Sequence, residues 1–368
     1  MPKALKMDVE ASQGVKNFLK HLLESGKVKG VFALKKMNDS GAVSYSLITS
    51  VEELASAEPL MPLMPENAGQ ALSRLTVKEA LKEPVAAVLR PCELRAFTEL
   101  VKRVQGSEDN LLLISPICAG VFPLSSATDG SWEKQMASYA ESSREGKIHP
   151  GVRKMCQACT SFIPGRADIT VAFAGRKDTG SSCHLILDTP RGEEFAQGAP
   201  GTPETVEKEP AELAPLREAR AARRSEVFKE IDVQGQKGLI KTFAPCLGCH
   251  GCMHVCPICH CVLCVFDSKM YELQPWSIES EPESKGGIRV PSGTLFFHLG
   301  RMAHMAVSCV NCGMCSDVCP VNIPVSEVFS MVGDQLQKVF EYVPGRDVEE
   351  SVPSGTYKED EFAGIGEQ

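Results

Sequence analysis

Two stretches near the C-terminal end of the chain repeat one cysteine spacing. Each reads Cys-x2-Cys-x2-Cys-x3-Cys-Pro, and together they contain Cys246, Cys249, Cys252, Cys256, Cys309, Cys312, Cys315 and Cys319. Three thiolates at this spacing can bind one [4Fe–4S] cluster from a single loop, and small residues such as Gly248 and Gly313 let backbone N–H groups approach the sulfides. The spacing therefore predicts two clusters, and with them the transfer of single electrons.

The two runs are expected to exchange their last cysteine. In paired clusters of this kind, the cysteine before the proline ordinarily binds the cluster of the other run. One cluster is therefore predicted on Cys246, Cys249, Cys252 and Cys319. The other is predicted on Cys309, Cys312, Cys315 and Cys256. Structural zinc also binds closely spaced cysteines, but two complete runs of four favour iron and sulfide.

Four cysteines in the first half of the chain are candidates for a third cluster. Apolar runs at Val85–Leu89 and Leu111–Ile114, with a helical segment between them, predict two parallel strands. Cys92 and Cys118 follow these strands, and functional groups in such sheets lie beyond the carboxyl ends of the strands. Cys92 also opens the intervening helix, whose dipole favours a thiolate. The third-cluster set is completed by a Cys-x2-Cys pair, Cys156 and Cys159; the alternative is unrelated buried thiols.

Three more cysteines follow directly on the first run. Cys259, Cys261 and Cys264 could hold a fourth cluster, together with Cys183 or a residue of a partner. One of them could instead replace Cys256 as a ligand. The other interpretation is structural, with these thiols packed beneath the clusters.

The elements that position these cysteines can be predicted from apolar periodicity. Predicted helices are Val15–Leu23, Gln70–Leu81, Glu93–Val104, Glu218–Ile231, a segment from Leu295 to Ala306 and Ile323–Phe340; further strands are Val28–Leu34 and Val43–Ile48, around a turn at Asn38–Gly41, and Ala167–Gly175. The arginines of the fourth helix (Arg220, Arg223, Arg224) are predicted to form a solvated face. The fold class is α+β or α/β with a mixed or parallel sheet, followed by a mainly α-helical domain with two clusters.

Composition restricts the setting of this chemistry. Sixteen cysteines in metal-type spacings, among 368 residues, argue against a disulfide framework. Thiols that bind iron and sulfide need a reducing, low-oxygen compartment, and the chain begins without an apolar signal segment, so a cytoplasmic protein is expected. No run is long enough to span a bilayer. The net charge of −8 argues against nucleic acid as a partner.

The order of several short motifs resembles a known family. Pro91-Cys92-Glu-Leu-Arg-Ala96, Cys118-Ala-Gly120, Cys156-x-x-Cys159 and Ala167-Asp168-Ile169 follow one another as in the coenzyme F420 hydrogenase/dehydrogenase beta-subunit family. That family includes beta subunits of F420-reducing hydrogenase and of formate dehydrogenases. The resemblance covers roughly residues 15–195, and a C-terminal dicluster module is a common accompaniment.

The resemblance implies an iron–sulfur flavoprotein that exchanges hydride between FAD and F420 or a related carrier. Cys92, Cys118, Cys156 and Cys159 would then bind the cluster beside the flavin. Thr160, Asp168 and Gly175 would contact the flavin itself. No Gly-x-Gly-x-x-Gly fingerprint follows a predicted strand, so a Rossmann-type NAD site is not visible.

These observations predict four regions. Residues 1–195 form a flavin and [4Fe–4S] domain, 196–240 a linker and helix, 241–340 a dicluster ferredoxin-like domain, and 341–368 an acidic tail. The expected function is that of an oxidoreductase subunit with FAD and three clusters, or four, in a formate dehydrogenase, hydrogenase or heterodisulfide-reductase-like complex. Its small carrier would be F420, NAD(P) or ferredoxin. No catalytic acid, base or nucleophile is assigned, and the alternative is a flavin-free ferredoxin-type adaptor.

Overall fold

The computed structural model describes residues 3–37, 42–231, 235–268, 280, 282–284, 286 and 293–356. The chain divides into two compact units. The N-terminal unit comprises Met1–Val227, Val310–Gly313 and Pro344–Glu350. The C-terminal unit comprises Phe228–Cys309, Met314–Val343 and Ser351–Gln368.

A mixed eight-stranded sheet forms the centre of the N-terminal unit. Its strands are β1 Lys3–Met7, β2 Gly30–Met37, β3 Ala42–Ile48, β4 Val85–Val88, β5 Leu111–Pro116, β6 Ile169–Val171, β7 Cys183–Leu187 and β8 Thr202–Thr205. The spatial order is β3-β2-β4-β5-β6-β7-β1-β8. The pairs among β2, β4, β5 and β6 are parallel, whereas the pairs at both edges are antiparallel.

Both faces of this sheet are covered, which explains why its central strands are continuous apolar runs. Successive residues of a strand point to opposite faces. In β5, Leu111 and Leu113 join the core that contains Phe97, whereas Leu112 joins the core that contains Phe18. A strand with two buried faces favours apolar residues on both sides, and β4 and the Leu111–Ile114 part of β5 have them at every position.

The helices cover these faces and supply the cysteine loops. Those that begin in the N-terminal unit are α1 Ala11–Glu24, α2 Val51–Leu54, α3 Ala68–Thr76, α4 Pro91–Lys102, α5 Leu124–Thr128, α6 Ser131–Lys134, α7 Met136–Arg144, α8 Lys154–Gln157, α9 Pro190–Ala196 and α10 Leu213–Lys229. In α4, Pro91 is at a position where a helix needs no N–H donor, and the Glu93 carboxylate accepts a hydrogen bond from the Arg90 N–H. These local contacts fix the start of the helix that carries Cys92.

Helices and turns make up the described part of the C-terminal unit. Its helices are α11 Gly235–Phe243, α12 Gly251–His254, α13 Thr294–Met305, α14 Met314–Asp317 and α15 Val325–Val339. The side chain of Phe297 on α13 packs with Met253 and Phe266 in a small core, to which Cys252, Cys259 and Cys264 also pack. No helix among the described residues is both long and apolar enough to cross a bilayer.

The sequence predictions agree with the structure in the parallel β4-α4-β5 unit and in the helices α1, α13 and α15. The helix predicted at Gln70–Leu81 ends at Thr76 instead, and the strand predicted at Ala167–Gly175 is confined to Ile169–Val171. The predicted turn at Asn38–Gly41 lies outside the described residues, as do residues 357–368 of the predicted acidic tail. Three strands, β1, β7 and β8, were not predicted.

Candidate iron–sulfur centres and the adjoining cavity

Cys92 and Cys118 lie beyond the carboxyl ends of β4 and β5. Cys92 is the second residue of α4, and Cys118 comes two residues after β5. The backbone N–H of Cys118 donates to the Phe162 carbonyl at 2.9 Å, which joins the Cys118 loop to the chain that follows Cys159. The topology therefore brings the strand-end cysteines to one edge of the sheet, as predicted.

Cys156 and Cys159 approach the same edge from α8. Gly120 has a φ of +106°, and a Cβ at this glycine would lie 3.2 Å from the Cβ of Cys156, so the Cys118 loop and α8 are in close contact. Cys118 and Cys156 are both close enough to Cys92 for their negative charge to raise its pKa. The four residues predicted to bind the third cluster thus lie in one neighbourhood, which Cys312 of the second run also enters.

Burial controls the protonation of these thiols. It raises the pKa of Cys92 well above the ordinary value for a thiol, and that of Cys118 to about 11. At Cys92 this effect outweighs the helix dipole, which by itself would favour the thiolate. Thiolates at this site therefore require a bound cation or cluster, because metal binding is what drives deprotonation of a buried thiol.

A buried arginine faces this neighbourhood. The side chain of Arg220 on α10 is 1% exposed and donates to the carbonyls of Cys118 at 3.2 Å and Ala119 at 3.1 Å. Its guanidinium lies 4.6 Å from the centre of the Phe162 ring, and its Nε has no partner within the described part of the chain. No carboxylate of the described residues pairs with Arg220, and the Cys118 and Cys156 thiols are near enough for the guanidinium to lower their pKa.

The prediction of a solvated arginine face on α10 is therefore wrong for Arg220 and Arg224. Arg224 is 9% exposed and donates to the Ala158 carbonyl at 3.3 Å. Both arginines share one face of the helix with Leu216, at intervals of four residues. This spacing with an apolar residue is the sequence signal that places them towards the interior.

A cavity of about 550 Å³ lies beside the cysteine neighbourhood. Its lining includes the aromatic side chains of Trp132, Tyr139 and Phe173, and the basic side chains of Lys16, Lys36 and Arg144. The Tyr139 hydroxyl donates to the Gly120 carbonyl at 2.9 Å, so one side chain separates the cavity from the loop of Cys118. Among the described residues Arg144 has no ion-pair partner, whereas both lysines interact with Glu58.

The residues that the resemblance assigns to the flavin lie elsewhere in the same unit. Thr160 is exposed, and both oxygens of the Asp168 carboxylate accept hydrogen bonds, from the Leu113 N–H at 2.9 Å and the Thr189 hydroxyl at 2.7 Å. Gly175 has a φ of +75°, and its N–H donates to the Ser143 carbonyl. None of these three residues lines the 550 Å³ cavity. Their contact with a flavin stays a prediction.

In the C-terminal unit, Cys252 lies near the other members of its predicted set. The pKa of Cys252 is raised to about 11, mainly by burial. The negative charges of Cys246, Cys249 and Cys319 also act to raise it. The sulfur of Cys246 accepts a hydrogen bond from the Gly248 N–H at 3.4 Å, and that of Cys319 from the Ile323 N–H at 3.3 Å. These backbone donors are of the kind that approaches the sulfur atoms of a cluster.

The remaining cysteines occupy different environments. Cys259 and Cys256 share a hydrogen bond between their side chains, which lowers the pKa of Cys256. Cys261 is exposed. Cys183 lies in the core of the N-terminal unit on β7, in close contact with Gly14 of α1. Within the described residues no three His, Cys, Asp or Glu side chains form a site for a single metal ion.

Helix α13 directs two nitrogen-containing side chains at the first run. The guanidinium of Arg301, 2% exposed, donates to the Cys252 sulfur at 3.1 Å and to the Cys252 carbonyl at 3.1 Å. The Nε2 atom of His298 lies 3.4 Å from the Cys246 sulfur. A buried guanidinium needs an anionic partner, and cysteine sulfurs are the only such partners of Arg301 among the residues that the structure describes. The residues present therefore fit an anionic iron–sulfur cluster in this unit, as Arg220 does in the other.

Comparison with known proteins covers most of the chain. A family model for the 4Fe-4S dicluster domain matches residues 242–323, and a model for the C terminus of the coenzyme F420 hydrogenase/dehydrogenase beta subunit matches residues 82–212. The F420-dependent formate dehydrogenase subunit beta of Methanocaldococcus jannaschii is 26% identical over 379 residues, which cover 94% of each chain. The F420-dependent formate dehydrogenase 1 subunit beta of Methanococcus maripaludis is 30% identical over 375 residues, which cover 92% of each chain.

One solved structure is more distantly similar. It is the F420-reducing [NiFe] hydrogenase complex from Methanosarcina barkeri, studied by xenon derivatization. The alignment covers 64% of this chain and 93% of the matched chain, with 12% identity and a TM-score of 0.42.

Proposed function

Since this chain belongs to the coenzyme F420 hydrogenase/dehydrogenase beta-subunit family, we propose that it is an iron–sulfur flavoprotein subunit that exchanges hydride with F420 and relays single electrons. The relatives in this family are subunits of F420-dependent formate dehydrogenase, and the dicluster domain makes the chain an iron–sulfur electron-transfer subunit. The proposal adds three points to what the relatives and the dicluster domain support: a bound flavin, a third cluster and F420 as the carrier.

The cavity beside Tyr139 supports the flavin. Its volume of about 550 Å³ is that of a small-molecule site, and aromatic walls suit a planar ring system. The guanidinium of Arg144, which forms no ion pair with a described carboxylate, suits a phosphate group. A bound flavin would supply the conversion of a two-electron hydride transfer into single-electron steps. Trp132, Tyr139 and Phe173 would orient its ring and exclude water from it.

The Tyr139–Gly120 hydrogen bond is the observation that carries the proposal. It places a wall of the cavity two residues from Cys118, so a flavin there would lie close to a cluster on Cys92, Cys118, Cys156 and Cys159. Close approach is what a transfer of single electrons between the two groups requires. The buried cation of Arg220 would stabilise the negative charge that the cluster gains on reduction.

The carrier and the partners follow from the family. We assign F420 as the carrier in preference to NAD(P) or ferredoxin, because both similar formate dehydrogenases are named for it. The partner would be the catalytic subunit of a formate dehydrogenase or hydrogenase, or a heterodisulfide-reductase-like subunit. The two clusters predicted in the dicluster domain would exchange electrons with that partner.

The test is the content of iron, sulfide and flavin in protein purified without oxygen. Three clusters predict about twelve irons and about twelve sulfides per chain, with about one FAD. The variant Arg144→Gln is expected to lose flavin and keep its iron, whereas the matched variant Arg217→Gln, at an exposed arginine paired with Glu209, should keep both. A preparation with full clusters and no flavin would contradict the proposal and favour the adaptor.

A further inference from the structure

Arg301 stands between the cysteines of the two runs in the C-terminal unit. It donates to the Cys252 sulfur at 3.1 Å and reaches the Cys259 sulfur at 3.8 Å. Cys256 and Cys315, assigned to the other cluster, are also near enough to stabilise its charge, although no hydrogen bond joins them to it. The guanidinium is thus hydrogen-bonded to a sulfur of one predicted cluster set and to Cys259, which belongs to neither set, and it is coupled to the other set only through its charge.

The surroundings hold this cation in place. The guanidinium carbon lies 5.4 Å from the ring centre of Phe297 and 5.0 Å from that of Phe329. Aromatic faces stabilise a desolvated guanidinium, and a planar group held between rings has little freedom to turn away. A second side chain of the same helix contacts the same set, since the Nε2 atom of His298 approaches the Cys246 sulfur.

We propose that Arg301 sets the difference in reduction potential between the two clusters of the dicluster domain, by making the cluster on Cys246, Cys249, Cys252 and Cys319 easier to reduce than the cluster on Cys309, Cys312, Cys315 and Cys256. This inference rests on the proposed function, because it requires both clusters to be present. Arg301 would act on the cluster through its cysteine ligands, so it is a positioning residue and not a catalytic residue.

The physical reason is the charge that reduction adds. One electron from a reduced flavin or an external reductant enters a cluster, no bond is broken, and the cluster becomes more negative by one charge. An N–H donor on a ligand sulfur and a fixed positive charge stabilise the reduced form more than the oxidised form, which raises the potential. Because a guanidinium does not release its proton at ordinary pH, no proton accompanies the electron.

The experiment is an anaerobic redox titration of the full-length protein, followed by the electron paramagnetic resonance signals of its reduced clusters. In Arg301→Gln, the signal of the cluster on Cys246, Cys249, Cys252 and Cys319 is expected to titrate at a lower reduction potential. The expected shift is about 59 mV, which is a tenfold change in the equilibrium constant of a one-electron reduction. The signal of the other cluster should move less. Arg301→Lys keeps the charge but loses the fork of donors, so its shift should be smaller and in the same direction. Arg217→Gln is the control and should change neither signal.

Each outcome decides the inference. Unchanged potentials in an Arg301→Gln protein with full iron content overturn it, and so do equal shifts of both clusters. If Arg301→Gln loses iron, Arg301→Lys decides: a small downward shift of one signal supports the inference, whereas an unchanged potential, or loss of iron here too, overturns it. A wild-type protein without iron and sulfide would instead contradict the proposed function.

Discussion

Arg220 in the N-terminal unit and Arg301 in the C-terminal unit are both buried beside cysteines, but the two arginines bind different atoms. Arg220 in the N-terminal unit donates to main-chain carbonyls of the Cys118 loop, whereas Arg301 in the C-terminal unit donates to a cysteine sulfur as well as to a carbonyl. Both lie on an aromatic ring, Phe162 in one case and Phe297 in the other. A guanidinium therefore holds a loop in one unit, whereas in the other unit a guanidinium also contacts a predicted ligand atom.

Other buried arginines of the N-terminal unit also donate to main-chain carbonyls. Arg224 donates to the Ala158 carbonyl, and Arg90 donates to the carbonyls of Met61 and Leu63. These guanidinium groups both hold the loops and supply positive charge. A substitution of one of them therefore changes the loop geometry together with the electrostatic field at the cysteines. In the C-terminal unit the contact with sulfur allows the field to be changed with less effect on the fold.

The largest expected effect is that of Arg220→Met. The substitution leaves two buried carbonyls without a donor and removes the cation that balances the cluster, so we expect a loss of roughly 3–5 kcal/mol of stability in the N-terminal unit. About a third of the iron should be lost, since one cluster of three is affected. The measurement is iron content together with thermal unfolding under anaerobic conditions. Arg217→Met, on the exposed side of the same helix, is the control.

This experiment also tests the contrast between the units. The cluster on Cys246, Cys249, Cys252 and Cys319 should keep its resonance signal in Arg220→Met, because all four of these ligands belong to the C-terminal unit and the substituted residue belongs to the other unit. Full iron content with only a shifted potential would break the contrast, since Arg220 would then act as Arg301 is proposed to act.

A smaller effect is expected from Gly69→Ala in α3. A Cβ at this position would meet the Glu93 carbonyl oxygen and would lie 2.8 Å from the Phe97 nitrogen, both in the helix that carries Cys92. Crowding of this kind typically costs about 1–3 kcal/mol, and α4 must move to relieve it. The expected result is a lower unfolding temperature and a broadened signal of the N-terminal cluster alone. Gly165→Ala, where a Cβ has no neighbour within 4 Å, should leave the protein unchanged.

The close contact at Gly69 could not have been predicted from the sequence, whereas much of its surroundings could. The β4-α4-β5 unit follows from short apolar runs that surround a helical pattern, and the strand-end positions of Cys92 and Cys118 follow from the topology of parallel strands. Strands β7 and β1, by contrast, pair antiparallel over some of the longest separations in the chain, with Ala4 opposite Ile186. No local pattern specifies such a pairing, and β1 has only five residues.

The buried arginines show a second limit of prediction. A charged residue on a helix normally faces solvent, and residue type alone therefore predicts a surface position for Arg220 and Arg224. Their interior position depends on carbonyls of loops about 60 to 100 residues away, Ala158 and Cys118 among them. The sequence reveals the face that they share with Leu216, but not the acceptors that make their burial favourable.

The smallest predicted effect concerns acid and the wall of the cavity. His149 is 4% exposed and lies against the rings of Phe122 and Tyr139, at 5.5 and 6.0 Å. Its Nδ1 accepts from the Gly151 N–H at 3.1 Å, so the neutral ring is the form that fits, and burial lowers its pKa.

The unfolded chain therefore binds this proton at a higher pH than the folded protein does. The contribution of His149 to stability is full above the unfolded pKa of about 6.5 and is lost as the pH falls below that value, until the folded pKa is reached. His149→Gln should be less stable at neutral pH, because it loses the ring packing, but its stability should fall less steeply between about pH 7 and about pH 5. The measurement is denaturant unfolding at several pH values. A slope in His149→Gln equal to that of the wild-type protein would show that acid acts on the N-terminal unit through another group. If the cluster of the N-terminal unit loses its colour in acid before those of the dicluster domain do, the two units differ in proton binding as well as in how their buried arginines are used.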